Sequence, residues 1–337
     1  MRALSAAFAL ALCAAPAVVG MSSEVTSPRS ARSRAPDPAD SLLWMEMRNV
    51  DLHIDARQVM HTRVLRGEVV RAMPGVVPFL DDPKTFHVRV TNGVVALNSE
   101  AIATLLNTVA FNYPGAPIRH LSIRIENGQL VQKGILHKGV DIPFEMWAAP
   151  KLQGDGRLRL HPSKLHIFSV NGLTLMHALG LHMDKLMDLR QAHGVTVDGD
   201  DLFIDPLLLI PPPTVSGRLA AVRIEDSLFV QEFVRTPDDT IFGTYVRPDS
   251  SARNFVYFRG GELRFGKLTM HDTDLLIGDD DERDPLDLYL TQYNKQLVAG
   301  RAKNLPNFGL RTWLVDYRRI AGEPVRSPSA AATGGTP

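Results

Sequence analysis

The sequence predicts an α+β fold in which a strongly curved antiparallel sheet wraps around two amphipathic helices. Three observations point there: many apolar runs of period two, tight-turn dipeptides between them, and two segments with apolar residues at helical spacing. Alternation bounded by Asn-Gly or Asp-Gly is a strong hairpin signal, so most strands should pair antiparallel and bury one face. Glycine is frequent, with 25 residues, and strong sheet curvature is usually marked by glycines and bulges. Period-two strands equally build a filled sandwich, so alternation alone does not force the curvature.

In chain order, Val50, Leu52 and Ile54 alternate first, then Phe86, Val88 and Val90 ahead of Asn92-Gly93. Residues 98–113 place Ile102, Leu105, Leu106 and Val109 on one helical face, with Asn98 or Ser99 as N-cap and Pro114-Gly115 as the stop. Strands resume at Leu121, Ile123 and Ile125 before Asn127-Gly128, and at Val140, Ile142, Phe144 and Met146. Leu158-Leu160 follows Asp155-Gly156, and Leu165 alternates with Ile167. A second helix is expected over 172–191, through Leu175, Leu179, Met183, Leu186 and Met187, ending at Arg190 and His193-Gly194. The apolar run 207–210 before Pro211-Pro212-Pro213 reads as a buried strand or as an apolar lip at a cavity mouth. Val222-Ile224, residues 255–258 and Leu263-Phe265 are further strands, the last two separated by Gly260-Gly261. A weaker helix is expected after Pro285, through Leu288, Tyr289 and Leu297. Residues 120–132 and 219–231 echo one another, each running Arg-Ile-Glu into a tight turn and an apolar strand. The echo reads either as two similar units or as the ordinary likeness of alternating strands.

The chain ends have a different composition. Arg2 is the only charge before Glu24, an apolar stretch covers 3–19, and Ala15-Pro16-Ala17 offers small residues for cleavage. Residues 1–20 are therefore expected to be a signal peptide, placing the protein in the periplasm or outside the cell. The same run also fits an uncleaved anchor, although it is slightly short of the roughly 20 residues of a bilayer span. Lipid attachment at Cys13 is the third option, with Leu12 standing where a small residue is normally needed. Residues 21–41 read as a linker too polar to pack, and 322–337 as a disordered tail. Between them lie a body over 42–237 and a strand-rich segment over 238–321 that extends the sheet or forms a small lobe.

Cys13 is the sole cysteine, so a chain that loses its signal has neither a disulfide nor a thiol nucleophile. Lys plus Arg equals Asp plus Glu, 37 against 37, so no global field draws nucleic acid to the surface. There is no Gly-x-Ser-x-Gly elbow and no phosphate-cradling glycine loop. His177 and His182 are five residues apart, as are His161 and His166, and neither spacing presents two ligands on one face. The run Asp279-Asp280-Asp281-Glu282 with Asp284 lacks the spaced calcium-loop pattern and reads as a solvated turn. No cofactor, metal site or catalytic residue is expected, and the reading is of a protein that is not an enzyme.

The order of elements over 86–233 carries a resemblance. Asn98-Ser99-Glu100 opens a helix, and Ala116-Pro117-Ile118 leads into a strand closed by Asn127-Gly128. Gly139-Val140-Asp141-Ile142-Pro143, Gly154-Asp155-Gly156, the second helix, Asp198-Gly199-Asp200-Asp201-Leu202 and Gly217-Arg218-Leu219 follow. That arrangement resembles bacterial envelope lipid-binding proteins of the tubular lipid-binding (TULIP-like) superfamily, over about half the chain. The resemblance implies a helix-plus-curved-sheet body that binds or carries lipid, and it transfers no catalytic residue.

The expected function is extracytoplasmic binding of a lipid or other long apolar molecule in an elongated groove, with possible peripheral membrane contact. Its lining would come from Leu105, Leu106 and Val109 of the first helix and Leu175, Leu179 and Met183 of the second. The alternative is an envelope interaction or assembly protein with a filled core. Its partner surface would lie in the C-terminal third, with Tyr289, Tyr293, Trp313 and Tyr317 as anchors. A hydrolase without a familiar motif is the remaining class.

Overall fold

The computed structural model describes residues 42–53, 57–167, 170–171, 182–242, 251–290, 292–306 and 308–322. The expected signal, linker and tail beyond residue 322 lie outside these. Among the described residues no helix is long and apolar enough to cross a membrane.

The chain is mostly β. Strands β1 Leu43–His53, β2 Val59–Arg71 and β3 Phe86–Leu97 lead into helix α1, Ser99–Leu105, which continues as a π-helical turn over Leu106–Ala110. Next come β4 Ile118–Glu126, β5 Gln129–Lys138, β6 Val140–Leu152, β7 Leu158–Ile167, β8 Val170–Asn171 and the short helix α2 Met183–Leu186. Strands β9 Val195–Asp198, β10 Asp201–Ile204, β11 Thr214–Ser216, β12 Leu219–Glu225 and β13 Leu228–Phe233 precede helix α3, Asp239–Phe242. The last part holds β14 Phe255–Phe265, β15 Leu268–Asp279, β16 Leu286–Tyr289, helix α4 Tyr293–Ala299, β17 Arg301–Asn304, β18 Leu310–Leu314 and helix α5 Tyr317–Ala321.

These strands form two sheets. The larger has eleven strands in the order β12-β13-β3-β2-β1-β14-β15-β18-β17, with β11 on β3 and β16 on β1. The smaller has seven, β4-β5-β6-β7-β10-β9, with β8 on β7. Among the described residues pairing is antiparallel except at β1–β16, β3–β11 and β15–β18. The sheet is curled into a half-barrel, and register shifts interrupt β2–β3, β4–β5, β6–β7 and β12–β13. Such bulges bend a strand and raise its twist. At the β2–β3 shift a Cβ on Gly67 would lie 2.5 Å from the Arg89 carbonyl oxygen, so only glycine allows that approach.

Alternation accounts for the core. Leu43 and Met45 enter one apolar cluster, while Trp44 between them enters another with Phe255, Tyr257 and Leu276. Both faces are therefore covered along much of β1 and β14 and along the second half of β15. A third cluster lies between the smaller sheet and α1, and Leu97 and Phe229 of the larger sheet join it. Helix α1 starts where expected, with the Asn98 side chain accepting from the Ala101 N–H at 2.9 Å. Its π turn is docked by Asn107, which exchanges two hydrogen bonds with the backbone of Leu121 on β4, at 2.7 and 3.0 Å.

The two-helix part of the expected fold is not confirmed. Of the segment 172–191, residues 172–181 lie outside the described residues and only Met183–Leu186 is helical. Met187 is already extended, and an Asp188–Arg190 contact shapes the turn beyond it. The helix expected after Pro285 is instead strand β16, because Leu286 and Leu288 alternate into the core alongside Val50 and Leu52 of β1. Helix begins only at Tyr293. Residues 207–210 are not a strand either. The Asp205 carboxylate accepts from the Leu207 N–H at 3.1 Å and the Leu208 N–H at 3.4 Å, folding the run into a turn. The echoed segments are hairpins β4–β5 and β12–β13, in different sheets. In each, the arginine of Arg-Ile-Glu bonds the glutamate two residues on, at 2.8 Å for Arg124 and 2.5 Å for Arg223.

Candidate functional site

The inner face of the smaller sheet is built by plain alternation. Leu136 and Gln132 of β5, Ile142, Phe144 and Met146 of β6, and Leu165 and Ile167 of β7 line a cavity of about 30 Å³ together with Met183, Leu186 and Met187. Ile118 and Leu202 complete the lining. Phe144 stands opposite Gly134, where a Cβ would come within 3.2 Å of its ring, so the glycine leaves the aromatic its place. Ile142, Phe144, Ile167 and Leu186 are half-buried, and the other lining residues are buried. Helix α2 is held over this region by Asp200, whose carboxylate accepts from the Met183 N–H at 3.1 Å.

Every described residue of the lining is apolar except Gln132. That residue is 5% exposed, and its Nε2 is buried with no hydrogen-bond partner. The cavity has the volume of about one water molecule, so a chain-length ligand fits only if side chains move. Three of them, Met146, Met183 and Met187, are unbranched and polarizable, the side chains that adapt most readily to a new neighbour.

Of the residues expected to line a groove, Met183 borders this cavity. Leu106 is 4% exposed in the core below α1, with Leu105 and Val109 packed against the same cluster, and none of the three borders this cavity. Leu175 and Leu179 lie outside the described residues. Gln132 was recognisable in principle, as a polar residue on the inward side of an alternating strand.

A second cavity, of about 280 Å³, is acidic. Asp279, Asp281, Asp284, Asp287 and Asp316 line it with Arg283 and Arg319. The sequence suggested a solvated turn here, yet Asp279 is 9% exposed because it ends the buried second half of β15. Burial pushes its carboxyl up to about 7, and the charges of Asp284 and Asp281 add to the effect. Asp284 is raised too, first by burial and then by neighbouring carboxylates. Asp281 is held at about 2, chiefly by its hydrogen bond with Arg283.

Histidines and carboxylates meet across neighbouring strands. His161 bonds Asp201 and His61 bonds Asp51, both at 2.7 Å, and His53 bonds Asp287. Asp51, His53 and Asp287 hold their ligand atoms within 4.8 Å of one another, the geometry closest to a metal site among the described residues. His53 Nε2 already faces Asp287, while its Nδ1 is buried without an acceptor. A metal-ligating imidazole normally donates its other N–H to a partner, and here none is provided. The arrangement is that of two imidazole–carboxylate pairs fastening β1 to β2 and β16. Of the aromatic residues read as partner anchors Tyr289 is buried and the other three half-buried: Tyr289 stacks on His53 at 4.2 Å, Tyr317 lies 4.8 Å from Tyr289, Tyr293 packs on Phe265, and Arg301 sits over Trp313.

No family model, curated protein or solved structure matches this chain. The functional reading rests on its own residues.

Proposed function

We propose that the protein binds a lipid or another long apolar molecule against the inner face of the smaller sheet, without making or breaking bonds. The observation that carries this reading is the cavity between β5, β6, β7 and α2, whose described lining residues are apolar apart from one amide. Each methylene transferred there from water contributes about 0.8 kcal/mol. The half-buried Ile142, Phe144, Ile167 and Leu186 are the side chains that must part, and methionines on both sides allow the lining to re-form around a guest. Extracytoplasmic location belongs to the same proposal, on the strength of residues 1–20.

The second reading, an envelope interaction protein with a filled core, is favoured by the smallness of that cavity. Exposed apolar residues in the C-terminal part, Val298 at 88% and Phe308 at 93%, would serve it.

Uptake of the neutral apolar dye N-phenyl-1-naphthylamine by the delipidated chain separates the two. Saturable fluorescence is expected for the wild type and for Leu268→Glu, which adds a charge at an exposed position on the other sheet. Phe144→Glu and Ile142→Glu should each weaken uptake at least tenfold, since an unpaired charge is costly in an apolar cavity. A folded wild type that takes up no dye removes the proposal and leaves the filled-core reading.

A further inference from the structure

The unpartnered amide of Gln132 narrows the class of ligand, on the reading that the cavity binds an apolar molecule. A buried amide left without a hydrogen bond is a standing cost to the fold, and buried polar groups without partners are few in folded proteins. Gln132 lies opposite Ile123 on β4 and Met146 on β6, and Met146 lies opposite Leu165 on β7. None of these side chains offers the amide an oxygen or nitrogen acceptor. The half-buried rim of the cavity, Ile142 and Phe144, lies further along β6 from Met146, so the amide belongs to the inner part of the lining.

The charge of the lining is equally informative. No lysine, arginine or histidine is among the described residues that line the cavity. A carboxylate or phosphate placed beside Gln132 would be desolvated with no cation to compensate it. A pure hydrocarbon would leave the amide as it stands. A neutral oxygen acceptor satisfies Nε2 at no charge cost, and the ester carbonyl of an acyl lipid is the one that arrives joined to a long apolar chain.

We infer that Gln132 is the polar anchor of the site and that the ligand is a neutral acyl ester, whose carbonyl oxygen accepts from Nε2 while its chain occupies the apolar lining. The same argument makes the amide a compromise between binding and stability. Replacing an orphaned buried polar group by an apolar one of similar shape is neutral or stabilising, so Gln132→Met should stabilise the empty protein and cost it selectivity.

The test displaces N-phenyl-1-naphthylamine from the full chain with methyl laurate, laurate and dodecane. The wild type should bind methyl laurate about tenfold more tightly than either of the others, the gain of one well-made hydrogen bond. Gln132→Met should bind the ester and the alkane alike and, free of ligand, should melt at or above the wild-type temperature. Dye uptake without ester preference, an ester preference that survives in Gln132→Met, or a Gln132→Met protein that melts lower overturns this inference and leaves the apolar site standing. Absence of dye uptake by the wild type overturns the site and the inference together.

Discussion

Arg311→Met is expected to lower the stability of the folded chain by about 3–5 kcal/mol, the cost of breaking a buried ion pair from one side. Arg311 and Asp274 have side chains only 3% and 7% exposed and meet at 2.7 Å, joining β18 to β15. The same guanidinium donates to the Asp274 backbone oxygen at 3.0 Å, and the Tyr257 hydroxyl donates to the Asp274 carboxylate at 3.2 Å. Burial raises the Tyr257 hydroxyl well above its ordinary range, with the charge of Asp274 adding to it, so the phenol stays a donor at every ordinary pH. Removing the arginine leaves Asp274 as a buried charge without its guanidinium. Removing both members takes away the two charges of the pair together, at the cost of the acceptor of the Tyr257 hydroxyl, so Arg311→Met with Asp274→Leu should recover part of the loss. Urea unfolding of the two variants reads the difference. Equal losses in the single and double variants would show that packing, not charge pairing, sets the value of this site.

The second large effect is a pH dependence at Asp279. Its folded-state pKa of about 7 lies above the ordinary 3.8. A carboxyl raised by folding stabilises fully below about pH 4, and that contribution is lost as pH rises through about 7. The span corresponds to about 2–4 kcal/mol. Asp279→Asn keeps the shape, stays neutral at all pH values, and should be more stable than the wild type at pH 8 by that order while matching it near pH 4. Asp281, half-buried and lowered to about 2 chiefly by its hydrogen bond with Arg283, acts in the opposite direction below pH 4 in both proteins, so it cancels from the comparison. Chemical unfolding of the pair at pH 4, 6 and 8 checks this. A constant difference across that range would mean that Asp279 does not titrate there.

Local signals in the sequence carried a good part of the fold. Alternation located β3, β4, β6, β7 and β14, and Asn127-Gly128 marked a real hairpin because both residues adopt positive φ there. The Asn98 cap and the Ile102–Val109 face located α1, since capping and helical periodicity involve only near neighbours. What stayed hidden depends on distant partners. Arg48 of β1 pairs with Phe255 of β14, and Val50 of the same strand pairs in parallel with Leu286, contacts that no spacing announces. Leu286, Leu288 and Tyr289 fit a helical pattern as well as a strand, and only the neighbouring β1 decides between them. Asp279 read as solvated because its acidic neighbours are, while burial at a strand end is a tertiary fact. Asp205-Pro206 before the 207–210 run was a legible turn signal that the apolar residues outweighed.

The candidate site was partly legible in the same sense. Met183 was expected to face a ligand and lines the cavity, whereas Leu105, Leu106 and Val109 are absorbed by the core that seats α1. A helical face shows that a residue is inward but not which side of a packed helix borders free space. Gln132 carries its message only once the strand is known to face a cavity.

The most direct test is to purify the full chain from cells, extract it with organic solvent and identify what it carried by mass spectrometry. A neutral acyl lipid recovered at close to one molecule per chain, and lost from Phe144→Glu, is the predicted result. A wild type that carries no apolar molecule, or a Phe144→Glu protein that carries as much as the wild type, would contradict binding at this face.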